Sequence, residues 1–303
     1  IENSTTEIAK ADGFPTVRLF TVGQDTESAH ALHDLQTIEQ NWSVASSKTV
    51  AGNGGFGYFS AVCWEFGTTI SAALSPTGDV PIGLVSNNWG GTPVEKWSDY
   101  TSFAACNRSA EGASNGTLYN AMIPPYVVGP MALTGFTWYQ GEANTRDQAS
   151  ADAYGCLFPA MIETWRARFE VPTAYFGYVQ LSTWCAGGIP EMRRAQMEAL
   201  RLPMVGYATN ADHGAGCNIH PPPKQYCGAR LGNSALALAY GDARPWKSPS
   251  FKSAECTASG GPPPGPGPPP KGGKVTVSVT LSDVVGPLTL DVYPANYLGG
   301  TFN

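Results

Sequence analysis

Short apolar runs alternate with longer amphipathic segments along most of the chain, and this alternation restricts the fold more than any other feature. TVRLFTV (residues 16–22), PIGLVSN (81–87), LTGFTWYQ (133–140), AYFGYVQL (174–181) and MVGYATN (204–210) read as buried strands. Between them, Phe59, Val62, Cys63, Phe66, Ile70 and Ala73 recur at helical spacing, as do Tyr154, Leu157, Phe158, Met161, Ile162 and Trp165. Residues 190–200 open on a proline, which suits a first helical turn, and residues 224–240 form a last periodic segment. Strand–helix alternation of this kind predicts an α/β fold with a parallel sheet covered on both faces.

The pattern stops near residue 241. We expect an α/β domain over residues 1–245, a Pro/Gly-rich linker or insertion over 246–274, and a partial β module over 275–303. The tract GGPPPGPGPPPKGGK (260–274) reads as a polyproline-type spacer, with an SH3-like ligand as the rarer use. VTVSVTL and LTLDVYP alternate with period two and supply two strands, a marginal number alone. Residues 1–13 and the connection from 23 to 50 read as polar loop, with His30 and His33 on the surface.

At 303 residues, with 42% apolar and 14% charged residues, the chain can bury a large core beneath a neutral surface. A net charge of −6 argues against a nucleic-acid partner, and no apolar run is long enough to span a membrane. N-x-[S/T] sequons stand at Asn3, Asn41, Asn107 and Asn115 beside seven dispersed cysteines. Together they predict a glycosylated, disulfide-bonded protein of the secretory pathway, secreted or lumenal. The odd cysteine count leaves one unpaired or bonded elsewhere, and the pairing is open.

Chemistry in an open α/β sheet gathers at the carboxyl ends of its strands. Three such ends carry unusual loops. After residues 81–87 come Gly90 and Gly91, which let backbone approach a ligand and can present an N–H as an oxyanion donor. After the run ending in Gln140 comes Gly141-Glu142-Ala143-Asn144, whose Asn144 amide is a candidate second donor. After residues 204–210 come Asp212 and His220. A histidine alone on a loop would carry no inference. Glycine donor, amide donor and histidine at three strand ends are the parts of an acyl-transfer site.

The collinear blocks FSAVCWEFG, GLVSNNWGGTPVEKW, WYQGEANT, RRAQ and DHGAGCNIHPPPK resemble the sialate O-acetylesterase family of SGNH hydrolases. The resemblance runs from about Val17 to Gly241. It implies a flavodoxin-like three-layer SGNH-hydrolase sandwich, removal of acetyl groups from sugar hydroxyls and no cofactor. It implies His220 as catalytic base and Asn144 with Gly90 or Gly91 as oxyanion donors. Trp138, Gln140, Glu142, Thr92 and Arg193 would shape the substrate pocket. Arg194 and Lys224 fall in matching blocks.

Two departures accompany these matches. The family's nucleophilic serine sits in a G-Q-S-N-M block on a strand upstream of these blocks, and this chain has no such block. We expect the serine, and an internal strand of the 2-1-3-4-5 sheet, to lie upstream of the 303 residues, leaving a gap of about 9–10 Å. Ser60 and Ser86 read as structural. The family acid stands two or three residues before the histidine, where this chain has Asn218 and Cys217. Asp212 is then the nearest candidate acid. The expected partner is an O-acetylated glycan. A second reading keeps the pocket without catalysis, as an extracellular glycan-binding or structural glycoprotein in a surface assembly.

Overall fold

The computed structural model describes residues 1–54, 57–75, 79–112, 114–129, 131–185, 187–259 and 274–287. In chain order the elements are α1 (Ser4–Lys10), β1 (Val17–Val22), β2 (Ile38–Val44), α2 (Ser47–Ala51), α3 (Ala61–Leu74) and β3 (Ile82–Ser86). Next come α4 (Val94–Trp97), α5 (Tyr100–Ala105), α6 (Thr117–Met122), α7 (Pro124–Val128), β4 (Gly135–Trp138) and α8 (Gln148–Arg168). The series ends with β5 (Tyr175–Gln180), α9 (Ile189–Met197), β6 (Val205–Thr209), α10 (Gln225–Ala239), β7 (Ser250–Ser259) and β8 (Lys274–Ser282).

The architecture is α/β, as the alternation predicts. Strands β4, β5 and β6 form a parallel sheet in that order. Period-two alternation places β5 between two helical layers. Its Phe176 and Tyr178 enter the large core with Phe158, Met161 and Trp165 of α8. Its Tyr175 and Val179 face the other way, toward Leu231 and Ala235 of α10 and Val62 and Ile70 of α3. Helices α3 and α10 meet through Gly228, where an added Cβ would lie 2.9 Å from both Phe66 N and Val62 O.

A second sheet has the order β2-β1-β3, with β1 and β3 parallel and β2 antiparallel at the edge. Strands β3 and β4 are unpaired with one another among the described residues. A cleft of about 490 Å³ lies there, lined by Gly83, Leu84, Val85, Phe136 and Thr137 among others.

Three expectations need correction. Residues 4–10 are helical, held by Lys10 donating to Glu7 across one turn, where we expected loop. Residues 38–44 form edge strand β2, although their polar, exposed sequence shows no buried face. The stretch 246–274, expected as a linker, contains β7, which pairs antiparallel with β8. The expected strand in VTVSVTL is β8; among the described side chains of the two strands only Leu281 and Ser282 are half-buried and the rest are exposed, so β7 carries no core-facing signature. The chain divides into the compact units Ile1–Trp246 and Lys247–Val292. Most of the proline tract and all of LTLDVYP lie outside the described residues.

Disulfides join Cys106 to Cys156 and Cys185 to Cys217. Cys63, Cys227 and Cys256 are free thiols, three rather than the one expected. Cys63 packs against the cluster of Val17, Leu19, Trp64 and Leu84, and Cys227 against Val62, Val179 and Leu231; burial raises the Cys63 thiol to about 12 and the Cys227 thiol to about 11. Burial thus disfavours the thiolate form at both positions.

Candidate active site

A cavity of about 440 Å³ opens at the carboxyl ends of β3 and β4. Its lining includes Gly90, Gly91 and Thr92 after β3, Gln140 and Glu142 after β4, and His220 and Lys224 from the loop between β6 and α10. Three separate chain segments thus converge at one rim.

The glycine loop is shaped from beneath. Gly91 has φ +73, a conformation that a side chain would strain, and neither glycine would meet an atom within 4 Å if it carried a Cβ. Both glycines line the cavity with open space about them. Thr92 ties the turn together: its Oγ1 donates to Trp89 O at 2.7 Å and accepts from Trp97 Nε1 at 2.9 Å.

Asn144 is placed differently from the expectation. It is buried and absent from the cavity wall. Its Oδ1 accepts from the Val94 N–H at 3.1 Å and from Gln140 Nε2 at 2.9 Å, while its Nδ2 donates to Glu95 Oε2 at 2.9 Å. The amide therefore clasps the β4 loop to the turn that carries the glycines. Gln140 strengthens the clasp by donating to Thr92 O at 3.1 Å.

His220 is exposed on a loop anchored at several points. Its backbone N–H donates to Asn218 Oδ1 at 2.9 Å, Cys217 is bonded to Cys185, and the Glu2 N–H donates to Pro222 O at 2.9 Å. The two positions where the resemblance expects an acid thus serve the loop itself. Asp212 is also engaged elsewhere: it accepts from Arg230 through both oxygens, at 2.8 and 2.6 Å, and lies 3.7 Å from His213 Nε2. Burial raises the Asp212 carboxyl, but Arg230 outweighs it and the net shift is downward.

His213 escaped the sequence reading. It is buried and stacks on Tyr226 with ring centroids 3.5 Å apart. Its position beside Asp212 in DHG was the available signal, but only the fold shows that this pair faces α10.

Glu142 is the carboxylate among the described lining residues. Burial raises its carboxyl above the ordinary range, opposed by its own backbone and by His220 and Lys224. Burial also lowers the Lys224 ammonium, whose Nζ sits 4.9 Å over the Tyr139 ring and 3.4 Å from its hydroxyl. Two opposite, partly desolvated charges therefore sit beside an accessible imidazole.

The remaining expected pocket residues divide. Trp138 reaches the cavity, yet most of its ring packs against Trp97, Phe158 and Trp165 and its N–H donates to Tyr154 Oη. Arg193 lies outside the wall and donates from Nε to Leu181 O at 2.7 Å. Ser60 caps α3 by accepting from the Cys63 N–H, and Ser86 Oγ accepts from the Ser60 N–H and Asn88 Nδ2, so both hydroxyls have structural work. Among the described residues no group of three or more His, Cys, Asp or Glu is placed to hold a metal ion.

Residues 20–233 match the family model described as carbohydrate esterase, sialic acid-specific acetylesterase. The sialate O-acetylesterases of Pongo abelii and Homo sapiens are each 34% identical over 274 residues, covering 80% of this chain and 50% of the relative. The chain thus spans about half the length of these curated relatives. A carbohydrate acetylesterase structure from Xanthomonas citri superposes with TM-score 0.68 at 32% identity, covering 83% of this chain and 55% of that one. An Arabidopsis thaliana protein shares the fold at TM-score 0.53 and 18% identity. With the family model covering most of the α/β unit and the same blocks lining the cavity, this chain belongs to the sialic acid-specific acetylesterase family of carbohydrate esterases.

Proposed function

We propose that the cavity hydrolyses acetyl esters on sugar hydroxyls by a serine-hydrolase mechanism, with sialate-type glycans as substrates. The observation that carries this reading is the convergence of His220 with the Gly90–Gly91 turn in one cavity at the strand ends. In the mechanism His220 takes the proton from a serine hydroxyl as its oxygen attacks the acetyl carbonyl and returns that proton to the departing sugar oxygen; water, deprotonated by His220, then attacks the acetyl-serine ester, releasing acetate and restoring the serine hydroxyl. Backbone N–H groups of the Gly90–Gly91 turn receive the oxyanion, and the Asn144–Gln140 clasp holds that turn in place. Preorganised donors of this kind contribute on the order of a hundredfold or more in rate.

The serine comes, in this proposal, from a segment outside the 303 residues. The cleft between β3 and β4 supports this, because it offers two unpaired strand edges and opens toward the same cavity: Cys63, Val85, Thr137 and Trp138 line both. A strand seated there would join the two sheets and end at the cavity. Two disulfides, and sequons exposed at Asn3, Asn41 and Asn107, support passage through the secretory pathway, with Asn115 half-buried. No helix among the described residues is long and apolar enough to cross a membrane.

The test is acetyl release from O-acetylated sialic acid and from p-nitrophenyl acetate by the complete protein, beside its His220→Ala variant. Equal rates would remove His220 from the mechanism. A second reading, glycan binding without catalysis, is favoured by the position of Asp212, which is turned to Arg230. A glycan array distinguishes it: signal on acetylated sugars without acetyl release supports binding alone.

A further inference from the structure

Helix α1 is seven residues long, too short to persist alone in water, and Asn3 at its start makes no side-chain cap. What it docks on keeps it folded. Ile8 packs against the cluster that holds Ala11, Phe59 and Trp64, which sets α1 beside α3. Next to Ile8, Glu7 turns a carboxylate inward: it is 8% exposed, and both its oxygens accept from the Lys10 ammonium at 2.9 Å.

Glu65, the neighbour of Trp64 on α3, meets that carboxylate, and the two side chains come within hydrogen-bonding reach. An ionised Glu7 can only accept. Glu65 Oε1 is buried with no donor among the described residues. Two carboxyl groups share such a site when one of them keeps its proton, and the surrounding charges decide which. Lys10 is bound to Glu7. From α10, Gly228 packs on Glu65, the neutral Gln225 reaches Glu7, and Arg230 donates to Thr209 O and Asp212. Burial raises the Glu7 carboxyl, but Lys10 outweighs it and the net shift is downward. Burial first, and then the Glu7 charge, raises the Glu65 carboxyl to about 7, opposed by Lys10. The shared proton therefore sits on Glu65.

The residues just ahead of α1 reach the loop of the candidate active site. The Glu2 N–H donates to Pro222 O at 2.9 Å, and Gln225 Nε2 donates to Glu2 O at 2.7 Å. Pro222 stands two positions after His220. One short segment thus ties the carboxyl pair to the histidine loop.

We propose that Glu7 and Glu65 form a proton-dependent latch, which holds α1 and the His220 loop in place while Glu65 keeps its proton and releases both when that proton is lost. Ionised Glu65 leaves two like charges in one buried site, and α1 undocks. Because the Glu65 carboxyl is raised, the latch is closed at acid pH and opens as pH rises through about 7. Glu65 acts as a positioning residue for His220. The latch goes beyond the esterase reading and does not depend on it.

Hydrogen exchange on the complete protein, corrected for the intrinsic rate at each pH, tests the latch from about pH 5.5 to about pH 8.5. In wild type, residues 2–10 and 217–228 should lose protection together, by about tenfold or more. Glu65→Gln supplies a donor at every pH, so both segments should stay protected throughout. Glu7→Gln removes the second charge and should do the same, which keeps the comparison if one variant fails to fold. Flat protection in wild type overturns the proposal. So does an equal fall in the variants, or a fall over residues 2–10 alone, which would uncouple α1 from His220. Acetyl release is not the readout, so the esterase reading stands or falls separately.

Discussion

Replacing Asn144 with alanine separates two roles, a stability clasp and an oxyanion donor. The variant strands the N–H of Val94, which is 0% exposed, at a cost of about 1–3 kcal/mol. Gln140 loses one acceptor but keeps Thr92 O, which costs about 0.5–1.5 kcal/mol. Glu95 can turn to water, so its lost bond adds about 1 kcal/mol at most. The sum is about 3 kcal/mol, or about 6–12 °C in Tm for a domain of this size. Asn144→Asp should be destabilised too, because its second oxygen would face the Glu95 carboxylate where Nδ2 now donates. Thermal unfolding and urea titration measure both variants. If Asn144→Ala melts within about 2 °C of wild type while acetyl release falls a hundredfold or more, the clasp is wrong and the amide is a direct donor.

Other expectations follow from packing and charge. Burial, with Glu7 beside it, raises the Glu65 carboxyl to about 7. A raised acid binds more protons folded than unfolded, so its contribution is full below about pH 4.3 and is lost as pH rises through about 7. Glu65→Gln should therefore flatten the fall in urea midpoint across that window, and an unchanged slope would refute the assignment. Gly228→Ala drives a methyl into the α3 backbone, and overpacking of about 1–3 kcal/mol should exceed the helix-propensity gain of at most about 1 kcal/mol. A variant more stable than wild type would show that the helices can separate at no cost. Removing the Cys106–Cys156 bond, which closes a separation of 50 residues, should cost about 4 kcal/mol, read as a lower Tm in the double serine variant.

The parallel strands and the helices flanking them were legible because each buries a periodic face: Tyr175 and Val179 against α10, Phe176 and Tyr178 against α8. Strands β2 and β7 were not, because an exposed edge strand has no buried face to impose a pattern on its residues, whereas the alternation of VTVSVTL did announce β8. Of the glycine turn, Asn144 amide and His220 expected at one rim, the turn and His220 line the cavity and Asn144 does not; parallel topology sends strand ends to a common rim but does not set which way a side chain there points.

Partner choice within that rim belonged to the tertiary structure. Asp212 stands eight positions before His220, yet its oxygens meet Arg230 on the next helix. Asn144 carries the right amide for an oxyanion, yet it is turned inward to Val94 and Glu95. Residue type and order determine which segments reach the site. Which way each polar group then points depends on donors and acceptors brought close from distant parts of the chain, and local sequence carries no record of those distances.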